Sequence, residues 1–283
     1  MAKDSPIEWT HHTFNPWWGC LRVSQGCKHC YADTWAKRFG DDLWSARSER
    51  KFFGDAHWRE PLKWQREANQ AGGRRRVFCA SMGDVFEDRA ELDAHRARLW
   101  RLIECTPNLD WLLLTKRIEN VKHMVPWSQD WPANVWLGAT MENQAAADER
   151  VEHLLHHNAA VRFVSAEPLL GALDLTPWLS RKLSCRIDWV IAGGESGAEA
   201  RWMNPAWPQS LRDQCLAHDV AFHFKQWGHW APAELIEETV AAKSQRVTLK
   251  QAAGLIDLVR VGKVKAGRVL DGQTWNQFPT VAI

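Results

Sequence analysis

The chain has 283 residues, more than one average domain but within what a single βα barrel fills, and its 45% hydrophobic and 25% charged residues are the balance of an ordinary globular protein. No uninterrupted apolar run is long enough to cross a bilayer, and the opening MAKDSPIEWT lacks the positive-then-apolar order of a secretory leader. A reducing, cytoplasmic setting is therefore expected, with the seven cysteines as thiols, and 36 Lys plus Arg against 34 Asp plus Glu leave only local basic patches as a case for nucleic-acid binding.

In chain order, Ile7 to Thr10 reads as a first strand, and the loop after it carries Cys20, Cys27 and Cys30 in the spacing C-x6-C-x2-C. Residues 40–76 read as a polar insertion, with Trp44, Trp58 and Trp64 suggesting one docking helix, and close on the triplet Arg74-Arg75-Arg76. From there, short β-favouring runs recur at Val77 to Ser81, Trp111 to Thr115, Val135 to Thr140, Arg162 to Ala166, Trp189 to Ala192 and Ala221 to Lys225. Between them, Glu91 to Glu104, Asn143 to His157 and Pro205 to His218 repeat apolar residues every three or four positions, as helices do. Repeating βα units predict a parallel sheet, hence an α/β fold built as a (β/α) barrel or partial barrel over residues 1–230. The pattern stops after Trp230, so residues 231–283 are expected to form a small appended segment of short strands and turns.

Each predicted strand ends in polar residues: Ser81-Met82-Gly83-Asp84, Thr115-Lys116-Arg117, Thr140-Met141-Glu142-Asn143, Ser165-Ala166-Glu167-Pro168, Gly193-Gly194-Glu195-Ser196-Gly197 and Lys225-Gln226-Trp227-Gly228. In a βα barrel the carboxyl ends of the strands form the rim where active sites are built. Some of these residues also suit turns and helix caps, but Glu, Lys and Arg on nearly every strand end exceed what capping requires.

Three cysteines on one Gly-framed loop, separated by polar residues, read as metal ligands; Gly19 and Gly26 let the loop turn tightly. Three thiolates on a four-iron cluster leave one iron open, whereas a structural zinc site needs a fourth ligand, which His11, His12 or His29 could supply. Cys79, Cys105, Cys185 and Cys215 fall within strand and helix patterns and read as small buried apolar residues.

The segments IEWTHHTFNPWWGC, ending at Cys20, and VSQGCKHCYA, from Val23 to Ala32, resemble the phage-associated three-cysteine-motif family, which is similar to radical SAM proteins. So do Phe78 to Phe86, Leu113 to Arg117, Leu137 to Glu142, Ser165 to Leu170, Ile191 to Gly197, Phe224 to Gly228 and Gly267 to Pro279, so the resemblance covers nearly the whole chain. It implies a barrel of radical SAM type, a [4Fe–4S] cluster on the three cysteines, S-adenosylmethionine on the open iron, and an electron donor to drive cleavage to a 5′-deoxyadenosyl radical. The first gap of six residues departs from the three usual in that superfamily.

By position, the resemblance places His29 near the adenine and Met82-Gly83-Asp84 against the amino group of S-adenosylmethionine. At the following strand ends, Lys116 and Arg117 could pair with its carboxylate or a substrate phosphate, and several of Thr140, Glu142, Glu167, Glu195, Ser196, Lys225 and Gln226 are expected to meet ribose hydroxyls or substrate. The substrate class considered is a nucleotide or nucleic acid, with Arg74 to Arg76 as a candidate phosphate contact. Two alternatives stand beside this: a non-catalytic zinc or iron–sulfur module that binds nucleic acid or a partner protein, and a barrel hydrolase using Glu167 and Glu195 as paired carboxylates.

Overall fold

The computed structural model describes residues 2–183, 185–251 and 254–280. The chain divides into two compact units, one formed by residues up to 140 with 150–163, the other by residues 141–149 with 164–280.

The first unit carries strands β1 (His12–Thr13), β2 (Trp17–Trp18), β3 (Lys51–Phe52), β4 (Arg75–Cys79), β5 (Leu109–Thr115) and β6 (Val135–Thr140). Its helices are α1 (Tyr31–Lys37), α2 (Asp55–Gln70), α3 (Asp93–Glu104) and α4 (Val121–Met124). Strands β1, β4, β5 and β6 pair in parallel, with His12 opposite Val77, Val77 opposite Trp111 and Trp111 opposite Val135. Nearly every residue of β5 and all of β6 is buried, as expected of parallel strands covered on both faces. Gly138 makes room within this unit: a Cβ there would lie 2.3 Å from Phe163 Cζ.

The predicted first strand is displaced. Residues 7–10 form a turn, with Thr10 N–H donating to Ile7 O at 3.2 Å, and pairing with β4 begins only at His12. The buried indole of Trp9, tilted against Phe78 with ring centroids 4.5 Å apart, explains why the segment looks strand-like in the sequence: its apolar residue enters the core from a turn. The inserted region does contain one docking helix, α2, which buries Trp58 and Trp64, and Trp44 is also buried.

Helix α5 (Gln144–Leu155) and strand β7 (Val161–Ala166) fall where the division between the units runs. The second unit then holds α6 (Thr176–Leu179), β8 (Trp189–Gly193), α7 (Ala206–Ala217), β9 (Ala221–Gln226), β10 (Trp230–Pro232), α8 (Glu238–Ala241), β11 (Gln245–Gln251), β12 (Gly254–Arg260) and α9 (Lys263–Ala266). Strands β8 and β9 are parallel, whereas β10, β12 and β11 form a separate antiparallel sheet in that order. Leu258 packs there with Ala200 and Trp230 beneath Val247, Leu249 and Ile256. Of the carboxyl-terminal stretch, residues 252, 253 and 281–283 lie outside the described residues.

The main sheet has the order β1-β4-β5-β6-β7-β8-β9, each parallel strand laid beside its predecessor. This is the α/β strand order expected of a full or partial βα barrel. Both outer strands are shielded, which removes the hazard of an open edge: Ala2 bridges Thr13 on β1, while Phe224 N–H donates to Trp275 O and Gln277 N–H to Phe222 O along β9.

Candidate functional site

The cysteine loop leaves the carboxyl end of β1 and is tied to the carboxyl end of β4. Gly19 N–H donates to Met82 O at 2.9 Å and Gly19 bridges Gly83. Gly19 has φ +109°, and a Cβ there would strike Arg50 Cδ at 2.7 Å and Leu43 O at 2.9 Å, so glycine is required next to Cys20. Asn15, fully buried, accepts from Met82 N–H at 2.7 Å and donates to Ser81 Oγ at 3.1 Å, joining the two strand ends. On the far side, Arg50 and Glu87 form a buried bidentate pair (3.0 and 2.6 Å), and Arg50 also donates to Leu43 O and Ser48 O. These contacts hold residues 43–48 against Gly19.

Cys27 closes a short turn over Gln25–Cys27, its sulfur 3.8 Å from Ser24 Oγ, and Cys30 caps α1. Burial pushes the Cys30 thiol upward, opposed by the backbone of Asp33 and Ala32 at the start of α1 and by the Lys116 charge. Cys20 and Cys30 pack against one apolar cluster made by Ala32, Ala36, Trp44 and Met82. Arg22 and Lys37 both engage the buried Asp33 carboxylate, which fastens the loop to α1.

Arg117 reaches the sulfur of Cys20. Its Nη1 donates to Asp84 Oδ2 at 3.0 Å and to Cys20 Sγ at 3.5 Å, and its Nη2 donates to Leu21 O. Asp84 also accepts from Thr115 Oγ1 (2.8 Å), Phe86 N–H (3.0 Å) and Lys116 N–H (3.2 Å), so both carboxylate oxygens are engaged. Burial opposes the guanidinium charge, yet Asp84 and Cys20 together hold it above its ordinary range. Burial, reinforced by Asp84, pushes the Cys20 thiol up to about 12 against the pull of Arg117. Lys116 is differently placed, with its ammonium 3.3 Å from Thr140 Oγ1. Gly83 passes so close to Trp17 that a Cβ would lie 3.3 Å from the indole Nε1, a buried N–H without a hydrogen-bond partner among the described residues.

In the second unit, Glu167 pairs with Lys225 at 3.0 Å, with Ser165 Oγ 3.4 Å from its other oxygen. Gly193 permits this, since a Cβ would stand 2.7 Å from Glu167 Oε1. Glu195 accepts three bonds from Arg201, at 2.9 Å from the backbone N–H and 2.8 and 2.6 Å from the guanidinium. Each carboxylate thus has its own cation, which is unlike the proton-holding acid of a paired-carboxylate hydrolase. Ser196 is half-buried, Glu142 is buried, and Gln226 keeps a buried Oε1 without a partner among the described residues.

The other candidates sort by position. His29 is half-buried in the cysteine loop. His11 Nδ1 accepts from Arg76 N–H and His12 Nδ1 from Asp4 N–H, both where β1 and β4 begin. The arginine triplet also belongs to that amino end: Arg74 pairs with Asp110 and Arg76 Nε donates to Trp9 O. Cys79 and Cys215 are buried as expected, but Cys105 is exposed at the end of α3, and Cys185 is half-exposed. Sequence reading missed Asn15, Arg50, Glu87 and Arg201; only the N-P pair at Asn15-Pro16, a turn signal beside the cysteine loop, offered a cue.

The donor set suits a thiophilic centre: three thiols on one loop, with a guanidinium donating to the sulfur of Cys20. Among the described residues no group of three or more His, Cys, Asp and Glu is arranged to hold a metal ion, so the fit is one of donor chemistry and neighbourhood.

An α/β chain with a three-cysteine loop after its first strand is thereby defined. It belongs to the family described as protein of unknown function (DUF5131), whose model matches residues 4–279. No curated protein matches it. Among solved structures it is similar to spore photoproduct lyase complexed with dinucleoside spore photoproduct, at 14% identity over 92% of this chain and 70% of that one, with TM-score 0.45. A substituted form of that lyase with bound AdoMet and dinucleoside spore photoproduct is similar at 13% identity over 89% and 68% of the two chains, with TM-score 0.44. No helix among the described residues is long and apolar enough to cross a membrane.

Proposed function

We propose that Cys20, Cys27 and Cys30 hold a [4Fe–4S] cluster and that the chain is a radical enzyme dependent on S-adenosylmethionine. The observation that carries this reading is the cysteine loop at the strand ends, with Arg117 donating to Cys20 Sγ and Cys20 and Cys30 packed on one apolar cluster. When bound, such a centre supplies one electron that splits S-adenosylmethionine into methionine and a 5′-deoxyadenosyl radical, which takes hydrogen from a carbon of the substrate.

The protein's own groups divide the remaining work. Arg117 and Asp84 are spent on each other and on the loop, so the cation proposed for the carboxylate of S-adenosylmethionine is Lys116, whose ammonium lies 3.3 Å from the Thr140 hydroxyl. Gly83, flanked by Gly19 and the Trp17 indole, provides backbone for the amino group, and His29 stays in the loop as the residue for the adenine face. Met82 contributes an apolar floor beneath Cys20 and Cys30 that keeps water away from sulfur. In the second unit, Glu142, Ser196 and the Glu167–Lys225 pair are the proposed contacts to ribose or substrate, and residues 231–283 an appendage. A nucleotide or nucleic-acid substrate and a reducing cytoplasm complete the proposal.

The test is anaerobic purification and reconstitution of wild type beside Cys27→Ala, with iron, sulfide and zinc analysis and a dithionite-driven assay for 5′-deoxyadenosine. About four irons per chain, with 5′-deoxyadenosine formed only by wild type, is expected. Stoichiometric zinc, or a cluster indifferent to S-adenosylmethionine, would transfer the cysteines to a non-catalytic binding module.

A further inference from the structure

Two turns meet at the carboxyl ends of β8 and β9 in the second unit, and the appended segment is fastened to them. The turn that leaves β9 holds the one that leaves β8: His229 N–H donates to Glu195 O at 3.0 Å, and His229 Nδ1 accepts from Gly197 N–H at 3.0 Å. Gly228, with φ +89°, permits this approach, since a Cβ there would lie 2.2 Å from Glu195 O. The same histidine receives the end of β12, with Val261 and Gly262 N–H donating to His229 O at 3.0 and 3.1 Å. Trp227 N–H donates to Gly267 O at 3.1 Å, so α9 is pinned at both ends to the residues that follow β9.

This frame presents two kinds of side chain. On α9, Lys263 and Lys265 are exposed and flank Val264, which is 93% exposed, so the turn stands out from the surface. Neither lysine has an ion pair among the described residues. From residue 243 to residue 270 seven cations meet one anion, Asp257, which Arg246 and Thr248 already engage. With the flanking Glu234, Glu237, Glu238 and Asp271 included, the stretch is still positive. From the β8 side comes Trp202, 36% exposed. Its chain neighbours fix it: Arg201 gives three hydrogen bonds to Glu195, and Asn204 accepts from Gln251 and from Ala206 N–H. Trp207 stacks on the ring at 6.1 Å, inclined by 28°. Arg201 is spent on Glu195, and the exposed Glu199 adds a negative charge, so Trp202 suits a neutral flat group and not a phosphate.

A basic turn beside a fixed indole matches single-stranded nucleic acid, which offers phosphates to lysine and unstacked bases to an aromatic face. A lipid surface suits it less, because one valine buries too little apolar area to insert. We propose that α9 and the turn after β8 form a binding surface for single-stranded nucleic acid, with Lys263 and Lys265 on its phosphates and Trp202 stacked on a base. The inference deepens the nucleotide or nucleic-acid reading above, on which it rests: the substrate becomes a polymer, and the appendage grips it beside the strand ends of the second unit. It does not depend on the cluster.

The experiment titrates the full-length chain, with and without reconstituted cluster, into a fluorescein-labelled single strand of about 12 nucleotides and follows anisotropy. The strand is supplied as DNA, as RNA and as a DNA duplex of the same sequence. Wild type is expected to bind a single strand more tightly than the duplex, with an affinity that falls as salt is added; the tighter of the two single strands identifies the sugar. Lys263→Glu/Lys265→Glu should weaken binding at least tenfold and lower the log–log salt slope by about 0.7 per lost phosphate contact. Trp202→Ala should weaken it about tenfold with the slope unchanged, while Trp202→Phe, which keeps an aromatic face, should stay within about threefold of wild type. Wild-type affinity in either the lysine variant or Trp202→Ala would overturn the proposal. So would equal losses in Trp202→Phe and Trp202→Ala, equal binding of duplex and single strands, or no binding by wild type, which would leave the face to an acidic protein. Dithionite-driven formation of 5′-deoxyadenosine separates the two readings. A chain that cleaves S-adenosylmethionine but ignores every strand would defeat this proposal alone, and one that grips a single strand but holds no cluster would defeat the radical reading alone.

Discussion

Arg117 sits between two acceptors of different kinds, the Asp84 carboxylate and the Cys20 sulfur, and its chemistry follows from that position. Hydrogen bonds and positive charge at a ligand sulfur favour the reduced, more negative state of an iron–sulfur centre. Arg117→Met should therefore move the cluster potential in the negative direction, read by a spectroelectrochemical titration; an unchanged potential would show that the contact is only structural. Arg50 and Glu87 give a stability prediction at the same scale. Their side chains are 0% and 4% exposed, and Glu87→Gln leaves the guanidinium buried with no compensating charge, at a cost of about 3–5 kcal/mol. Urea unfolding of the variant without cluster checks this, and a loss below about 1 kcal/mol would mean that the carbonyls of residues 43 and 48 suffice. Such pairings are invisible in the sequence: Asp84 and Arg117 are each ordinary strand-end residues, and only the parallel register of β4 with β5 brings them together.

Elements were more legible than pairings. The six apolar runs from residue 77 onward became β4 to β9 with ends shifted by two residues or fewer, because strands buried on both faces are written as nearly uninterrupted apolar stretches. The first strand was misplaced because Trp9 is buried from a turn, and burial without pairing leaves the same mark in composition as burial with it. Close packing between elements yields a further prediction. Gly138 on β6 accommodates the Phe163 ring so closely that Gly138→Ala must displace it, and overpacking of this kind costs about 1–3 kcal/mol. Thermal unfolding should show the loss, and Gly138→Ala/Phe163→Leu should recover part of it. If Gly138→Ala melts as wild type does, the ring moves freely and the packing argument is wrong.

At the scale of the whole molecule, several histidines are held below their ordinary range, chiefly by burial. His11, beside Arg76, and His157, beside His156, are lowered to about 4. These rings are neutral in the fold and protonated in the unfolded chain below about 6.5, so the unfolded state takes up more protons between the two values. Stability is full above pH 6.5 and falls progressively as pH drops toward 4. Urea midpoints between pH 7.5 and 4.5 should decline along that course, less steeply in His157→Gln; a flat profile would contradict the burial of these rings. The cysteine loop, the polar strand ends and the parallel α/β order could all be read before the structure. Which cations are spent and which remain, Arg117 and Arg201 against Lys116, could not, since that depends on neighbours distant in sequence or supplied by a turn.

The central claim is that three sulfurs on one loop hold a redox-active iron–sulfur centre that acts on S-adenosylmethionine. The measurement that meets it most directly is 5′-deoxyadenosine formed per cluster by the anaerobically reconstituted chain under dithionite. Production by wild type and none by Cys27→Ala is predicted. An iron-loaded wild type that leaves S-adenosylmethionine intact would contradict the claim.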